Sequence, residues 1–281
     1  MIIVVGAGPA GLAAAEAASR KGDDVALIDS APRKGGQYWR HQTSVKGYRS
    51  DRAERLFAKI ESASSITHIS EATVWSIEKE DQLFRVNYLQ GGQESSLTAE
   101  KLILATGAYD RSLPFPGWDK PGSMTPGAAQ ALLKGHGVLA GKKIVIAGTG
   151  PFLLPVATGL AESGADVVGL YDAHSPLRWA LSPHALLLNP SKFVELIYYA
   201  KLLKKFHISP KFKRVVSSFS DGSVTVSRVD SRFGILAKRD KVHQVDVVAV
   251  GWGFMPDLSL GGITGCCLLY TSPSPRDRQK S

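Results

Sequence analysis

The sequence predicts an α/β protein built as two three-layer domains, and three observations predict it. An apolar run enters a glycine turn and then an alanine-rich stretch at Ile2-Ile-Val-Val-Gly6-Ala-Gly8-Pro9-Ala10-Gly11. The same device returns at Ile144-Val-Ile-Ala-Gly148-Thr-Gly150 without its third glycine, since Leu153 stands there. Between the copies, runs at 72–79, 83–89 and 94–98, the last two joined by Gly91-Gly92, read as a small antiparallel meander.

The first copy sets out its chemistry residue by residue. Ile2 to Val5 is a short continuous apolar run, as in a strand covered on both faces. Gly6 allows the tight turn, Gly8 lets a pyrophosphate approach the backbone, and Gly11 lets helix and strand pack closely. Pro9 to Arg20 is rich in alanine and predicts a helix, opened by Pro9, whose free N-terminal amides, beginning at Ala10, are expected to face the phosphates. The next strand, Val25 to Ile28, ends in Asp29, at the spacing where an acid bonds ribose hydroxyls. Strand, glycine triplet, helix, second strand and terminal acid in this order predict a dinucleotide site.

Further along, Gly35-Gly36-Gln37-Tyr38-Trp39 reads as a loop and Ser50 to Ser62 as a helix. After the meander, Lys101 to Ala105 returns as a buried strand into Thr106-Gly107. Residues 112–122, with Pro114, Pro116, Gly117, Pro121 and Gly122, read as a linker. In the second copy a helix is expected over about 152–163 and a strand from Asp166 ending near Asp172. A mostly helical excursion follows from His174 to Phe206, then a hairpin of 214–219 and 223–229 across Ser220-Asp221-Gly222. A last buried strand, Val245 to Val250, runs into Gly251.

Length and composition bound the function. A chain of 281 residues accommodates about two domains at ~150 residues each. With 44% hydrophobic and 21% charged residues it is neither disordered nor disulfide-built. Its two cysteines, Cys266 and Cys267, are adjacent at the edge of an odd tail and say nothing about redox compartment. Residues 267–281 match, as a whole string, a translated sequencing adapter, and are set aside from fold reasoning. Without Arg276, Arg278, Lys280 and Asp277 the formal charge falls from +9 to +7. The expectation is a C-terminally truncated protein. The basic residues Lys201, Lys204, Lys205, Lys211, Lys213 and Arg214 read as a solvated helix face or a docking surface for an acidic partner. With no aromatic platform or zinc spacing beside them, nucleic acid is not an expected partner. The uncharged stretches 1–15 and 144–161 fit glycine turns better than membrane spans, so a cytoplasmic protein is expected.

With these pieces in order, the chain resembles the two-dinucleotide-domain FAD/NAD(P)-binding oxidoreductases, the superfamily of disulfide and ferredoxin reductases. The N-terminal turn, Gly35-Gly36, Ala105-Thr106-Gly107, the turn at Gly148 and the strand ending at Gly251 carry the likeness over nearly all of residues 1–265. A narrower likeness lies in Gly35-Gly36-Gln37, 105–111, 114–118 and 147–156. These are similar to the A subunit of opine oxidases and to the FAD subunits of hydrogen cyanide synthase and heteromeric proline dehydrogenases.

The resemblance implies Rossmann-like domains: a first part of the FAD domain at 1–111, the linker at 112–122, an inserted NAD(P)-binding-like domain at 123–244, and a return to the FAD domain at 245–266. It implies that Gly6, Gly8, Pro9, Ala10, Gly11 and Asp29 hold the ADP half of FAD. Gly36, Gln37, Thr106 and Gly107 then lie along the flavin or its diphosphate, Tyr38 and Trp39 beside the ring, and His41 is a proton-handling candidate. Gly148, Gly150 and Asp172 form the second site, for NAD or another nucleotide, or persist as fold without ligand; an acid at 172 favours NAD over NADP. The implied activity is FAD-dependent oxidation of an amino-acid-derived C–N bond by one subunit of a hetero-oligomer acting on a small-molecule substrate. An NAD(P)H-dependent flavoprotein reductase, or a nucleotide-binding relay subunit, is the alternative. The natural part has no Cys-x-x-Cys, which argues against disulfide reduction. No nucleophile–base pair or metal-ligand spacing stands out, so neither a catalytic residue nor a metal is assigned.

Overall fold

Strands buried along their whole length require a layer on each side, and each part of the chain supplies two. The computed structural model describes residues 1–40, 51–175 and 190–265. His41, the excursion residues 176–189 and the tail 266–281 lie outside the described residues. The chain divides into two compact units, the first running to Ala108 and resuming at Pro256, the second spanning Tyr109–Met255.

In the first unit β1 (Ile2–Val5) leads into α1 (Pro9–Arg20) and β2 (Val25–Ile28). Then come α2 (Asp51–Ser62), β3 (Ile66–Ile69), the meander β4 (Ala72–Glu80), β5 (Leu83–Gln90) and β6 (Gln93–Ala99), and β7 (Lys101–Leu104). The parallel sheet has the order β3-β2-β1-β7. Alternate residues of β1 and β2 serve opposite layers, as the period of two demands. Ile2, Val4, Val25 and Leu27 pack with Leu12, Ala15 and Ile60 of the helices. Ile3, Val5, Ala26 and Ile28 pack with Ile77, Val86 and Tyr88 of the meander. A short helix, Ser259–Ile263, adds Leu260 to that second cluster.

Beyond β7, β8 (Ala108–Asp110) pairs in a two-stranded ribbon with Phe254–Pro256. The second unit continues with β9 (Ser123–Met124), α3 (Pro126–His136), β10 (Lys143–Gly148), α4 (Leu153–Glu162) and β11 (Asp166–Asp172). It is completed by α5 (Pro190–Lys205), β12 (Pro210–Phe212), β13 (Arg214–Ser220), β14 (Ser223–Val229), β15 (Ile235–Gln244) and β16 (Val247–Gly251). Its parallel sheet, β12-β11-β10-β16-β9, repeats the order of the first. Ile144 and Ile146 pack toward α3, α4 and α5, whereas Val145, Ala147 and Tyr171 pack toward the β13-β14-β15 sheet. The β13–β14 hairpin turns through Asp221 (φ 51°) and Gly222 (φ 72°), the left-handed pair that an Asp-Gly turn of type I′ uses.

Two expectations are corrected and a third, the hairpin, is extended. The strand at 247–251 belongs to the second unit, pairing with β10 from Ile144↔Val247 to Gly148↔Gly251, and the chain rejoins the first unit only at Pro256. An all-apolar run states that a strand is buried on both faces, not which sheet receives it. Residues 112–122 are not a free linker: Phe219 N–H donates to the Pro116 carbonyl at 2.8 Å, and Val248 N–H to the Gly122 carbonyl at 2.8 Å. The expected hairpin is a three-stranded sheet, because β15 is charged enough (Lys238, Arg239, Asp240, Lys241) to hide its alternation. Among the described residues no helix is long and apolar enough to cross a membrane.

Candidate nucleotide sites

The three glycines of the first turn differ in their surroundings. Gly6 has φ 103°, and a Cβ there would stand 2.3 Å from the Ala105 carbonyl oxygen. A Cβ on Gly11 would stand 1.8 Å from the Gly6 carbonyl oxygen, so helix and turn touch backbone to backbone. Gly8 is different. Its backbone is ordinary (φ −73°), and a Cβ there would meet no protein atom within 4 Å. The fold itself does not require glycine at position 8.

The amides around it suit an anion. Gly8 caps α1 without a side-chain hydrogen bond, and no acid stands in the first turn. The first helical bond is Leu12 N–H to the Gly8 carbonyl at 2.9 Å, so the Ala10 and Gly11 amides precede the ladder. A Cβ on Gly36 would come 2.9 Å from the Gly8 Cα, which sets the Gly35-Gly36 loop against the turn. The Gly35 amide donates to the Ala7 carbonyl at 2.8 Å. The adjoining Gln37 and Tyr38 are exposed. Trp39 instead packs edge-on against Phe57, with ring centroids 5.9 Å apart. Of the two aromatic residues expected beside the flavin, Trp39 packs against the core and Tyr38 is exposed, its ring centroid 6.2 Å from that of Trp39.

Asp29 is bound up in the turn. Its Oδ2 accepts from the Ala7 amide and its Oδ1 from the Ala31 amide, the latter at 2.7 Å. A carboxylate has about four lone-pair positions, so two remain for ribose hydroxyls. Beside Asp29 stands a feature the sequence did not disclose: His68 Nε2 is buried with no hydrogen-bond partner among the described residues. Burial, and then the Lys34 charge, hold the His68 imidazole below its ordinary value of 6.5, against an opposing pull from Asp29. An unpartnered buried nitrogen beside Asp29 leaves a polar group that a ligand could satisfy.

These shifts predict a stability effect. As pH falls through 6.5 the unfolded chain takes up a proton that folded His68 resists, so stability is lost on the acid side. His68→Gln is expected to make the fall in urea midpoint below that pH shallower. An unchanged slope rejects it. Some slope remains in the variant, because His243 is also held low by burial and by Lys211 and Lys241.

Thr106 and Gly107 close the other end of the first sheet. Thr106 Oγ1 donates to the Asp257 carbonyl at 2.9 Å, and the Asp257 amide to the Gly107 carbonyl at 3.0 Å. Asp257 Oδ1 accepts from the Ser259 amide (3.1 Å) and hydroxyl (2.6 Å). Together with Leu104, Pro256, Leu258 and Gly261 these residues line a cavity of about 290 Å³. The Pro256-Asp257-Leu258 wall was not anticipated; its only sequence signal is an Asp two residues before a serine, an ordinary turn motif.

The second turn repeats the outline and changes the chemistry. Gly148 has φ 137°, and a Cβ there would lie 1.7 Å from the Gly251 carbonyl oxygen, as Gly6 lies against Ala105. Gly150, unlike Gly8, is left-handed at φ 95°. The helix begins at Leu153, later than its counterpart, with Phe152 as its cap at φ −62°, ψ −25°. The Leu153 amide donates to the Gly150 carbonyl at 3.3 Å and the Leu154 amide to Pro151 at 3.1 Å, a tightened i→i+3 start. Pro151 and Pro155 have no amide hydrogen at all. Of the two amides that the first turn leaves free, the one at the Gly11 position is here consumed, since the Leu153 N–H donates to the Gly150 carbonyl.

Asp172 is 9% exposed, and its Oδ1 accepts from the His174 amide at 2.8 Å. Among the described residues it is the only charged one lining a cavity of about 160 Å³ made by Gly150, Leu153, Leu170, Leu203 and Phe212 among others.

Comparison with known proteins agrees with this geometry. The chain is 33% identical over 288 residues to the A subunit of opine oxidase from Agrobacterium tumefaciens (strain Ach5), covering 96% of this chain and 55% of that protein. It is 30% identical over 278 residues to the HcnB subunit of hydrogen cyanide synthase from Pseudomonas aeruginosa, covering 92% of this chain and 58% of that one. The chain thus spans about half the length of these curated relatives. In fold it is similar to L-proline dehydrogenase from P. horikoshii, with a TM-score of 0.60 at 19% identity over 94% of this chain and 44% of that one. It is also similar to thioredoxin reductase from T. acidophilum, with a TM-score of 0.61 at 20% identity over 92% and 78%. The pyridine nucleotide-disulphide oxidoreductase family model matches residues 1–265, which implies FAD/NAD(P) binding, and the chain belongs to that family of oxidoreductases.

Proposed function

We propose that this chain is the FAD-binding part of one subunit of a heteromeric dehydrogenase or oxidase that acts on an amino-acid-derived C–N bond. The observation that carries the reading is the contrast between the turns. The first leaves the Ala10 and Gly11 amides and the space over Gly8 open to a pyrophosphate, while the second spends the amide at the Gly11 position, that of Leu153, on the Gly150 carbonyl and turns Gly150 left-handed. A chain with one good anion cradle suits a tightly held flavin better than an enzyme refuelled at every turnover by a pyridine nucleotide. The likeness to subunits of opine oxidase and hydrogen cyanide synthase supports the substrate class.

FAD, when bound, supplies the two-electron chemistry. The chain's own residues bind and orient it: Ala10, Gly11 and the α1 terminus hold the diphosphate, Asp29 takes a ribose, and Gly36 keeps the loop close over Gly8. Thr106 and Gly107, anchored to Asp257, form a wall of the cavity at the end of β7. At the second turn NAD or another nucleotide binds weakly, held chiefly through Asp172.

The test is anaerobic reduction of the flavin in the full-length protein co-expressed with its genetic neighbours. An opine, imino acid or N-alkyl amino acid is expected to bleach the flavin only in the assembled complex, with NADH reducing it at least about tenfold more slowly. Rapid bleaching by NADH without a partner would establish the reductase alternative instead.

A further inference from the structure

A basic feature lies on the side of the second parallel sheet that carries β13-β14-β15, outside both nucleotide turns. β12 runs parallel to β11 with Lys211 opposite Tyr171. The Lys211 ammonium lies 6.0 Å from the centroid of the Tyr171 ring. Tyr171 is fully buried, and its hydroxyl is 2.7 Å from His243 Nε2. Lys241 is two residues before His243 on β15, hence on the same face of that strand. Two lysines, a histidine and a tyrosine from three strands therefore converge, and Arg214 at the start of β13 adds its charge.

Neither Lys211 nor Lys241 forms an ion pair with a carboxylate among the described residues. Lys241 beside it, then partial burial and the charges of Lys241 and Arg214, hold the Lys211 amine below its ordinary 10.5. Like charges placed together without counter-charge destabilise the fold, and a bound anion removes that repulsion. The donors available are two ammonium groups and the N–H of a His243 ring that burial and the lysines keep neutral. Several donors around two or more positive charges match a tetrahedral dianion better than a single carboxylate.

We propose that Lys211, Lys241 and His243, backed by Tyr171, form a binding site for a phosphate group, carried by free phosphate or by a phosphate ester. The site stands apart from the flavin reading and does not depend on it.

Inorganic phosphate titrated into the full chain is expected to raise its melting temperature more than sodium chloride at equal ionic strength. Lys211→Met and Lys241→Met are each expected to weaken phosphate binding, measured by calorimetry, by about tenfold or more. Lys201→Met, on α5, is expected to leave it unchanged. Lys241→Met also removes the repulsion, so without phosphate this variant should melt no lower than the parent, which separates lost binding from lost folding. ADP competing at the same site, with the same dependence on Lys211 and Lys241, would assign the phosphate to a nucleotide; binding of phosphate without competition would assign it to the free ion. Stabilisation no greater than that of matched chloride, or equal loss in Lys201→Met, overturns the proposal.

Discussion

Gly8→Val is expected to abolish flavin retention while leaving the unliganded fold nearly intact, whereas Gly11→Val is expected to damage both. The two residues belong to one turn, but their surroundings differ. A side chain at Gly8 begins in open space on a backbone conformation that any residue adopts. Its cost to the apoprotein should stay within about 1 kcal/mol, the usual scale of a less favourable helix cap. The same side chain occupies the volume over the free Ala10 and Gly11 amides, where the pyrophosphate is to sit. A loss of even ~3 kcal/mol there corresponds to a fall of roughly a hundredfold in affinity.

Valine at Gly11 starts 1.8 Å from the Gly6 carbonyl oxygen, a collision that only a shift of α1 away from β1 relieves. Because Leu12 and Ala15 on that helix are fully buried, the shift should cost about 3 kcal/mol in stability before any cofactor is considered. Urea melts of the apoproteins and FAD titrations of the refolded proteins read the two effects separately. If Gly8→Val retained flavin as well as the parent, the phosphate would have to lie elsewhere and the cradle assigned to this turn would be wrong.

The same contrast shows what a sequence discloses. The first turn was legible because its requirements are steric and local: a glycine beside a returning strand, a glycine at a helix contact, an acid at the end of the next strand. The glycines stand two and three residues apart in the string, and that spacing is visible even though the contact that constrains Gly6 comes from Ala105. The meander was legible from its alternation and its Gly91-Gly92 turn, the β13–β14 hairpin from Asp221-Gly222. What stayed hidden depends on partners far along the chain. Asp257 reaches Thr106 across 151 positions, β16 chooses β10 as its neighbour, and His68 loses its partners through burial. None of these has a periodic signature. Asp29 lies between the two cases. Its place directly after β2 was legible from spacing, yet its carboxylate also ties the Ala7 amide to the end of β2, so under the proposed reading an Asp29→Ala phenotype would mix a lost ribose contact with a loosened turn.

Leu153→Gly restores the missing glycine by sequence but is not expected to restore a dinucleotide site. The leucine is 3% exposed and packs in a cluster with Ile144, Ile146, Leu160 and Leu170. Removing it should cost roughly 3 kcal/mol or more, through lost burial and the cavity left behind. The gain in anion binding should be small, because the defect is spread over the turn. The Leu153 amide is held by the Gly150 carbonyl, and Gly150 takes a left-handed conformation that Gly8 does not. In the first copy Gly11 permits close packing and the helix starts directly after Gly8; in the second, a bulky residue has been accommodated by delaying the helix to Leu153 and tightening its first turn. Chemical denaturation and NADH titration by fluorescence distinguish the alternatives. Large destabilisation with little change in NADH affinity is the expected result. A tenfold or greater gain in NADH affinity at small cost in stability would mean that one side chain bars the second nucleotide, and that the chain is one substitution away from a pyridine-nucleotide-fed reductase.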